Sequence, residues 1–202
     1  MRWRSSTSVR PASGFIEPCI PTKAARAPVG PDWVYEIKHD GYRLLVRKTG
    51  GTVRIYTRRG ADWTKRFPRI VQAVRKLKAA SILLDGEGIV YDGKGMPSFA
   101  LLHSHEYDRE VSLCAFDLLE LNGTEVCKQP LIERKELLAD FLLKVKDGIE
   151  FNDHIEGVAG HVVFDRAASS GMTVSWQSVK TCRMRRSQQT LDQSQKMKRV
   201  ED

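Results

Sequence analysis

A lysine followed closely by Asp-Gly is the clearest candidate for chemistry in this chain. Lys38 ends the strand-like run Trp33–Lys38, and Asp40-Gly41 separates that run from the apolar residues that begin at Leu44. A lysine amine becomes a good nucleophile when burial or a neighbouring cation lowers its pKa. Arg43 is a candidate for that neighbour, or for a two-pronged contact to a phosphate. The pattern indicates either covalent chemistry at Lys38 or an ordinary surface hairpin.

Alternation and turn residues predict the elements that would position Lys38. We expect Asp40-Gly41 to form a tight β-hairpin turn, and Asn122-Gly123 to form a second turn. Strands are expected near residues 33–38, 43–48, 52–57, 82–91, 111–121 and 149–151. Helices are expected over residues 67–78, for about fifteen residues from Pro130, and over residues 160–168. This order predicts an α+β fold of mainly antiparallel sheets with flanking helices.

The segment Glu36–Arg43 also contains the form Lys-x-Asp-Gly-x-Arg. This form resembles the nucleotidyl-transfer motif of ATP-dependent DNA ligases, RNA ligases and capping enzymes. Glu36 and Tyr42 favour the DNA ligases, in particular the ligase module of bacterial non-homologous end-joining proteins. Three more segments resemble motifs of that family in the same order, namely Ile55–Gly60, Leu83–Glu87 and Ala115–Leu119. The resemblance covers roughly residues 15–172.

The resemblance implies a nucleotidyltransferase-type adenylation domain that uses ATP with Mg²⁺ or Mn²⁺. Lys38 would then attack the α-phosphate to form lysyl-AMP, and the AMP would pass to a 5′-phosphate at a DNA nick. Glu87 would bind the metal or the ribose, and Phe116 would stack on the adenine. Carried over position by position, the nucleotide-binding residues are Glu36, Ile37, Arg43, Arg58, Glu87, Phe116 and Lys180.

The residues around Glu87 support such a site on physical grounds as well. Apolar runs flank Asp85-Gly86-Glu87 on both sides, and a strand that carries a glutamate in its middle needs a partner for that charge. Attack on a triphosphate develops charge that arginines and a divalent cation stabilise. Glu87 is the stronger candidate for a metal ligand and Asp85 the weaker one. The alternative is that this tripeptide is another hairpin turn.

The resemblance implies two further motifs, a strand close to Glu-Gly-Ile-Val-x-Lys and a final Trp-x-Lys-x-Lys. Met172 leads directly into Thr173–Lys180, which resembles the second motif with Ser178 and Lys180 at its lysines. We therefore expect a domain spanning residues 15–181, shortened near residues 172–175, without an OB-fold domain after it. Either the sheet lacks the strand that would carry Glu-Gly-Ile-Val-x-Lys, or Thr173–Lys180 replaces that strand.

The departures from the family leave alternatives to an active DNA ligase. One alternative is a catalytically impaired remnant that binds ATP or DNA. The other is a different nucleotidyltransferase, such as an RNA ligase or a GTP-using capping enzyme.

Composition favours a polyanionic partner. The chain has 33 Lys and Arg against 25 Asp and Glu, a net charge of +8 and a pI near 9.4. This balance suits nicked or broken duplex DNA, and the resemblance adds other end-joining or ligase proteins as partners. One basic cluster is expected either to meet a DNA backbone or to form a solvated face, and consists of Arg58, Arg59, Lys65, Arg66 and Arg69.

The remaining composition bears on location. Apolar runs near 18 residues are missing from the sequence, so we expect no membrane partner. The four cysteines lack metal-ligand spacing and suit a reducing bacterial cytoplasm, with the protein at the nucleoid when bound to DNA. Residues 1–14 are expected to form a disordered basic tail, and residues 182–202 a disordered polar and basic tail.

Overall fold

The computed structural model describes residues 28, 30–145, 147–157, 162 and 173–178. In these ranges the strands are β1 Trp33–Lys38, β2 Tyr42–Thr49, β3 Thr52–Thr57, β4 Ser81–Ile89, β5 Ser112–Leu121, β6 Thr124–Glu125, β7 Ile149–Phe151, β8 His154–Glu156 and β9 Thr173–Ser178. The helices there are α1 Pro68–Arg75, α2 Phe99–His103 and α3 Leu131–Leu142. Among the described helices, none has the length and apolar character needed to cross a membrane.

The strands form two sheets. The smaller sheet has the order β8-β1-β9, and both pairings of β1 are antiparallel. The larger sheet has the order β3-β2-β4-β5-β6, all antiparallel, and β7 joins β5 in parallel. The predicted α+β fold with mainly antiparallel sheets is confirmed.

The predicted hairpin at Asp40-Gly41 is wrong, because β1 and β2 belong to different sheets and do not pair with each other. Gly41 is needed for close approach rather than for turn geometry. A Cβ at Gly41 would lie 2.3 Å from the carbonyl oxygen of Gly88 on β4. The missing side chain lets the crossover that follows Lys38 rest directly on the larger sheet.

Most other predicted elements are confirmed with small changes in their ends. Asn122 and Gly123 have φ values of 50° and 83°, and they connect β5 to β6 as a turn. The alternative of a hairpin at Asp85-Gly86-Glu87 is wrong, because β4 runs through all three residues to Ile89. The predicted helix over residues 160–168 lies outside the described residues except for Val162, and both predicted tails lie outside them entirely.

The larger of two buried hydrophobic clusters lies between the larger sheet and helices α1 and α3. Ile70 of α1 and Leu138 of α3 pack into the same cluster as Leu84 of β4 and Leu118 of β5, and all four are fully buried. Helix α3 lies against β5 and β7 and also buries two charged side chains there. Those charges, described below, connect the helix to the candidate site.

Candidate active site

The pairing of β2 with β4 places three charged residues on one face. Arg43 is the Cα partner of Glu87, and Leu45 is the partner of Asp85. Since side chains alternate along a strand, Arg43, Asp85 and Glu87 project to the same side. Arg43 donates from Nε to Oδ1 and from Nη2 to Oδ2 of Asp85, each at 2.7 Å. This two-pronged ion pair neutralises a carboxylate that is only 1% exposed.

Phe116 lies next to this ion pair. The guanidinium carbon of Arg43 is 4.8 Å from the centre of the Phe116 ring, and the ring is half-buried. A cation over an aromatic face is attracted to it and restricts the orientation of both groups. Phe116, Arg43 and Glu87 therefore lie together on one wall of the candidate site.

Glu87 has the most perturbed carboxyl group in this wall. The pKa of Glu87 is raised from 4.5 to about 7, chiefly because the side chain is buried. Arg43 and Lys38 lower this pKa, and the weaker influences of Asp85 and Asp40 raise it. The contribution of Lys38 places its ammonium within electrostatic reach of Glu87. A desolvated carboxylate of this kind is stabilised by any cation that enters the site.

Glu87 suits a metal shared with a bound nucleotide. Both oxygens of Asp85 accept hydrogen bonds from Arg43, so Asp85 is a poor candidate for a ligand. The part of the chain that the structure describes has no group of three or more His, Cys, Asp or Glu placed to hold a metal. Mg²⁺ commonly takes one or two carboxylates and completes its shell with phosphate oxygens and water. Glu87 fits that arrangement.

We expect the stability of the chain to depend on the protonation of Glu87. Between pH 4.5 and about 7 the folded chain keeps this proton while the unfolded chain loses it. The free energy of unfolding should therefore fall as the pH rises through this range, by on the order of 3 kcal/mol. The Glu87→Gln variant should lack this decrease when urea unfolding is compared at pH 5 and pH 8. Equal pH dependence in both proteins would show that Glu87 is not desolvated as described.

Lys135 was not predicted, although it connects two of the predicted site residues. Its ammonium donates to Oε1 of Glu36 and, at 2.9 Å, to the carbonyl oxygen of Phe116. The Lys135 and Glu36 side chains are 0% and 2% exposed. The Lys135 ammonium also lies 5.5 Å from the centre of the Phe151 ring. This buried ion pair fixes β1 of the smaller sheet against β5 of the larger one.

Arg134, the residue before it, anchors α3 to β5. Its Nε and Nη2 donate to Asp117 at 2.8 and 3.0 Å, and both side chains are fully buried. Two of the buried α3 residues that contact the site strands are therefore charged, Arg134 and Lys135. The pattern of apolar residues in the sequence did not predict that Arg134 and Lys135 would be buried.

The other predicted residues differ in how closely they approach this wall. Lys38 is exposed at the end of β1, and Ile37 beside it is 41% exposed. Arg58 is exposed in the turn after β3, and β3 is separated from β4 by β2. Lys180 lies outside the described residues. The site thus brings together residues of β1, β2, β4 and β5, with Arg58 further away.

Strand β9 covers the second edge of β1. Its register runs from Trp33 opposite Ser178 to Lys38 opposite Thr173. Val174, opposite Ile37, is buried. The segment after Met172 therefore takes a strand position beside Lys38. The predicted shortening near residues 172–175 stays a prediction, because residues 163–172 lie outside the described part.

The structure divides the predicted basic cluster. Arg58, Arg59 and Lys65 are exposed. Arg66 instead donates to Asp108 at 2.7 Å and lies 4.3 Å from the centre of the Trp63 ring. Arg69 forms an ion pair with Asp147 at 2.5 Å. Arg66 and Arg69 thus have carboxylate partners within the chain, and the first three remain the cations best placed to meet an external anion.

Comparison with known proteins identifies the family. The family described as the ATP dependent DNA ligase domain matches residues 19–161. The multifunctional non-homologous end joining DNA repair protein LigD of Mycobacterium tuberculosis is 39% identical over 106 residues, which is 52% of this chain and 14% of that protein. The Pseudomonas aeruginosa LigD is 37% identical over 140 residues, or 68% of this chain and 16% of that protein.

A solved structure agrees with the sequence relatives. Mycobacterial DNA ligase D complexed with ATP and MES superposes with a TM-score of 0.72 at 28% identity, covering 85% of this chain and 56% of that one. The chain therefore spans about half of that structure and a small fraction of the LigD proteins. By sequence and by fold, this chain belongs to the ATP-dependent DNA ligase domain family.

Proposed function

We propose that this chain is a ligase adenylation domain in which Lys38 takes AMP from ATP. The observation that carries the proposal is the convergence of Lys38, Arg43, Glu87 and Phe116 from four strands on one site, supported by the electrostatic influence of Lys38 and Arg43 on Glu87. The domain would span residues 15–181. The superposition on a relative solved with ATP supports the choice of nucleotide.

The proposed chemistry follows from these groups. The unprotonated amine of Lys38 attacks the α-phosphorus, a P–N bond forms, and the P–O bond to the β-phosphate breaks. Pyrophosphate leaves and the amine loses its second proton to solvent. Phe116 stacks on the adenine beside Glu36 and Ile37, while Arg43, Arg58 and Lys180 stabilise charge on the phosphates or hold the ribose. A divalent cation such as Mg²⁺ would neutralise phosphate charge, with Glu87 as its protein ligand.

We infer that the AMP then passes to the 5′-phosphate at a nick or break in duplex DNA, and that the 3′-hydroxyl displaces it. The net charge of +8 and the exposed Arg58, Arg59 and Lys65 support a DNA partner. The likeness to LigD supports a role in bacterial end joining beside other repair proteins, in the cytoplasm at the chromosome. DNA affinity should fall steeply with salt.

Incubation with α-labelled ATP and Mg²⁺, followed by nicked duplex DNA, tests this function. We expect an acid-labile label on the protein that moves to the DNA 5′ end at a nick without a 3′-hydroxyl, and that is released as AMP at a nick with one. GTP in a parallel reaction should give no label, since label from GTP would favour a capping-type enzyme. A protein without label at any ATP or metal concentration would refute the proposed first step.

A second candidate is a remnant that binds ATP or DNA without chemistry. It is favoured by the direct passage from Met172 into β9, where the resemblance implies a Glu-Gly-x-x-x-Lys strand. Loss of one charge-stabilising group costs about 10²–10³ in rate. ATP binding detected by calorimetry without covalent label would identify this remnant.

A further inference from the structure

Asn152 contacts the chain on both sides of Lys38. Its side-chain Nδ2 donates to the carbonyl oxygen of Ile37 at 3.1 Å, and its Oδ1 lies 3.2 Å from Nε2 of His39. Asn152 is only 6% exposed, so water competes weakly for these bonds. One buried side chain therefore brackets the residue proposed to take AMP.

The contact between Asn152 and Ile37 determines that Nε2 of the His39 ring carries a hydrogen. A backbone carbonyl only accepts hydrogen bonds, so the amide nitrogen of Asn152 must face Ile37 and its Oδ1 must face His39. Because Oδ1 also only accepts, Nε2 of His39 must carry the hydrogen. The network therefore excludes the tautomer whose only ring hydrogen is on Nδ1.

Asn152 also lies where the chain crosses from one sheet to the other. Its backbone N–H donates to the carbonyl oxygen of Ala115 on β5 at 2.7 Å, next to Phe116. Two residues later, His154 pairs with Glu36 on β1. Extended by two residues, that antiparallel register puts Asn152 opposite Lys38, beyond the last pair of the ladder. The side-chain amide takes the place of a strand partner at the end of β1.

We propose that Asn152 is a positioning residue for the adenylation step, which holds the Ile37 backbone and the His39 side chain, on either side of Lys38, relative to the strand that carries Phe116. It acts through Ile37 and His39 rather than by touching the nucleotide. The inference rests on the proposed function of Lys38. Misplacement of a reacting group by about 1 Å can cost up to ~100-fold in rate. The contacts of Asn152 with Ile37 and His39, which we call the Asn152 clamp, should therefore affect the rate of adenylation more than the affinity for ATP.

The Asn152→Leu variant tests the proposal, because the leucine side chain has the same branched arrangement of heavy atoms and forms no hydrogen bond. We expect ¹⁵N spectra of the His39 ring to move from the Nε2–H form toward a mixture of tautomers, and amide exchange at residues 38–41 to become faster. Adduct formation should slow by roughly 10- to 100-fold, with ATP affinity close to that of the wild type. If this variant does not fold, Asn152→Ser, which is too short to reach both partners, should give the same pattern.

Asn122→Gly is the matched control. It removes an amide that accepts from Ala80 at 2.8 Å in the turn after β5, and its φ of 50° suits glycine. It should leave the His39 spectrum and the adduct rate unchanged. Wild-type His39 signals in Asn152→Leu would overturn the clamp whatever the activity, and altered signals with a wild-type rate would overturn the positioning role. Failure of the wild-type chain to form any adduct would instead refute the proposed function, while the spectra still decide whether the clamp exists.

Discussion

Replacing Lys38 with alanine is expected to abolish covalent labelling by ATP and leave the fold intact. Lys38 is exposed at the end of β1, so its side chain contributes little packing. Its amine is the proposed nucleophile, and no neighbouring residue in the motif supplies an equivalent group. The measurement is the amount of acid-labile label on the protein after incubation with ATP and Mg²⁺, together with a thermal melting curve.

Lys38→Arg separates the nucleophile from its charge. Arginine keeps the positive charge beside Glu87 but is protonated at any accessible pH, so it cannot attack phosphorus. We expect this variant to bind ATP and form no adduct. Lys78→Ala, which removes an exposed lysine after α1, is the control and should label normally. Label retained in either Lys38 variant would show that another residue takes the AMP.

Replacing Lys135 with methionine should destabilise the chain by about 3–5 kcal/mol, because it leaves the Glu36 carboxylate buried without its cation. The change also removes the hydrogen bond to the Phe116 carbonyl oxygen. Both effects loosen the contact between β1 and β5. Urea unfolding of the variant and the wild type at neutral pH measures the loss.

A second substitution distinguishes a structural ion pair from a functional one. The double variant Lys135→Met, Glu36→Leu buries an apolar pair where the ion pair was, and should recover most of the lost stability. If Glu36 lies beside the adenine as proposed, the double variant should bind ATP more weakly than the wild type even though its stability has recovered. Equal stability of the single and double variants would contradict the description of Glu36 as a buried partner charge.

The elements near the site were predictable from local pattern, but their arrangement was not. Alternation predicted β1 and β3, and the motif residues Lys38 and Arg43 were identified by their spacing. The Asp40-Gly41 hairpin was wrong because the same two residues suit a turn or a close crossover. The contact between Gly41 and Gly88 that decides between them joins residues 47 positions apart, a proximity that sequence spacing does not reveal.

The buried charges of α3 show a second limit. Arg134 and Lys135 follow one another on a helix, and charged residues there are ordinarily solvated. Their partners, Asp117 and Glu36, lie 17 and 99 residues away in sequence. Asn152 was missed for the same reason, since its contact with Ile37 spans 115 residues. A single sequence gives no register between such distant segments.

The most direct test of the central claim is to locate AMP on the wild-type chain. The purified protein is incubated with ATP and Mg²⁺, and its intact mass and proteolytic peptides are measured by mass spectrometry under non-acidic conditions. We predict one added adenylyl group per chain, carried by the peptide that contains Lys38. An unchanged mass, or an adenylyl group on a different residue, would contradict the assignment of Lys38 as the nucleophile of this domain.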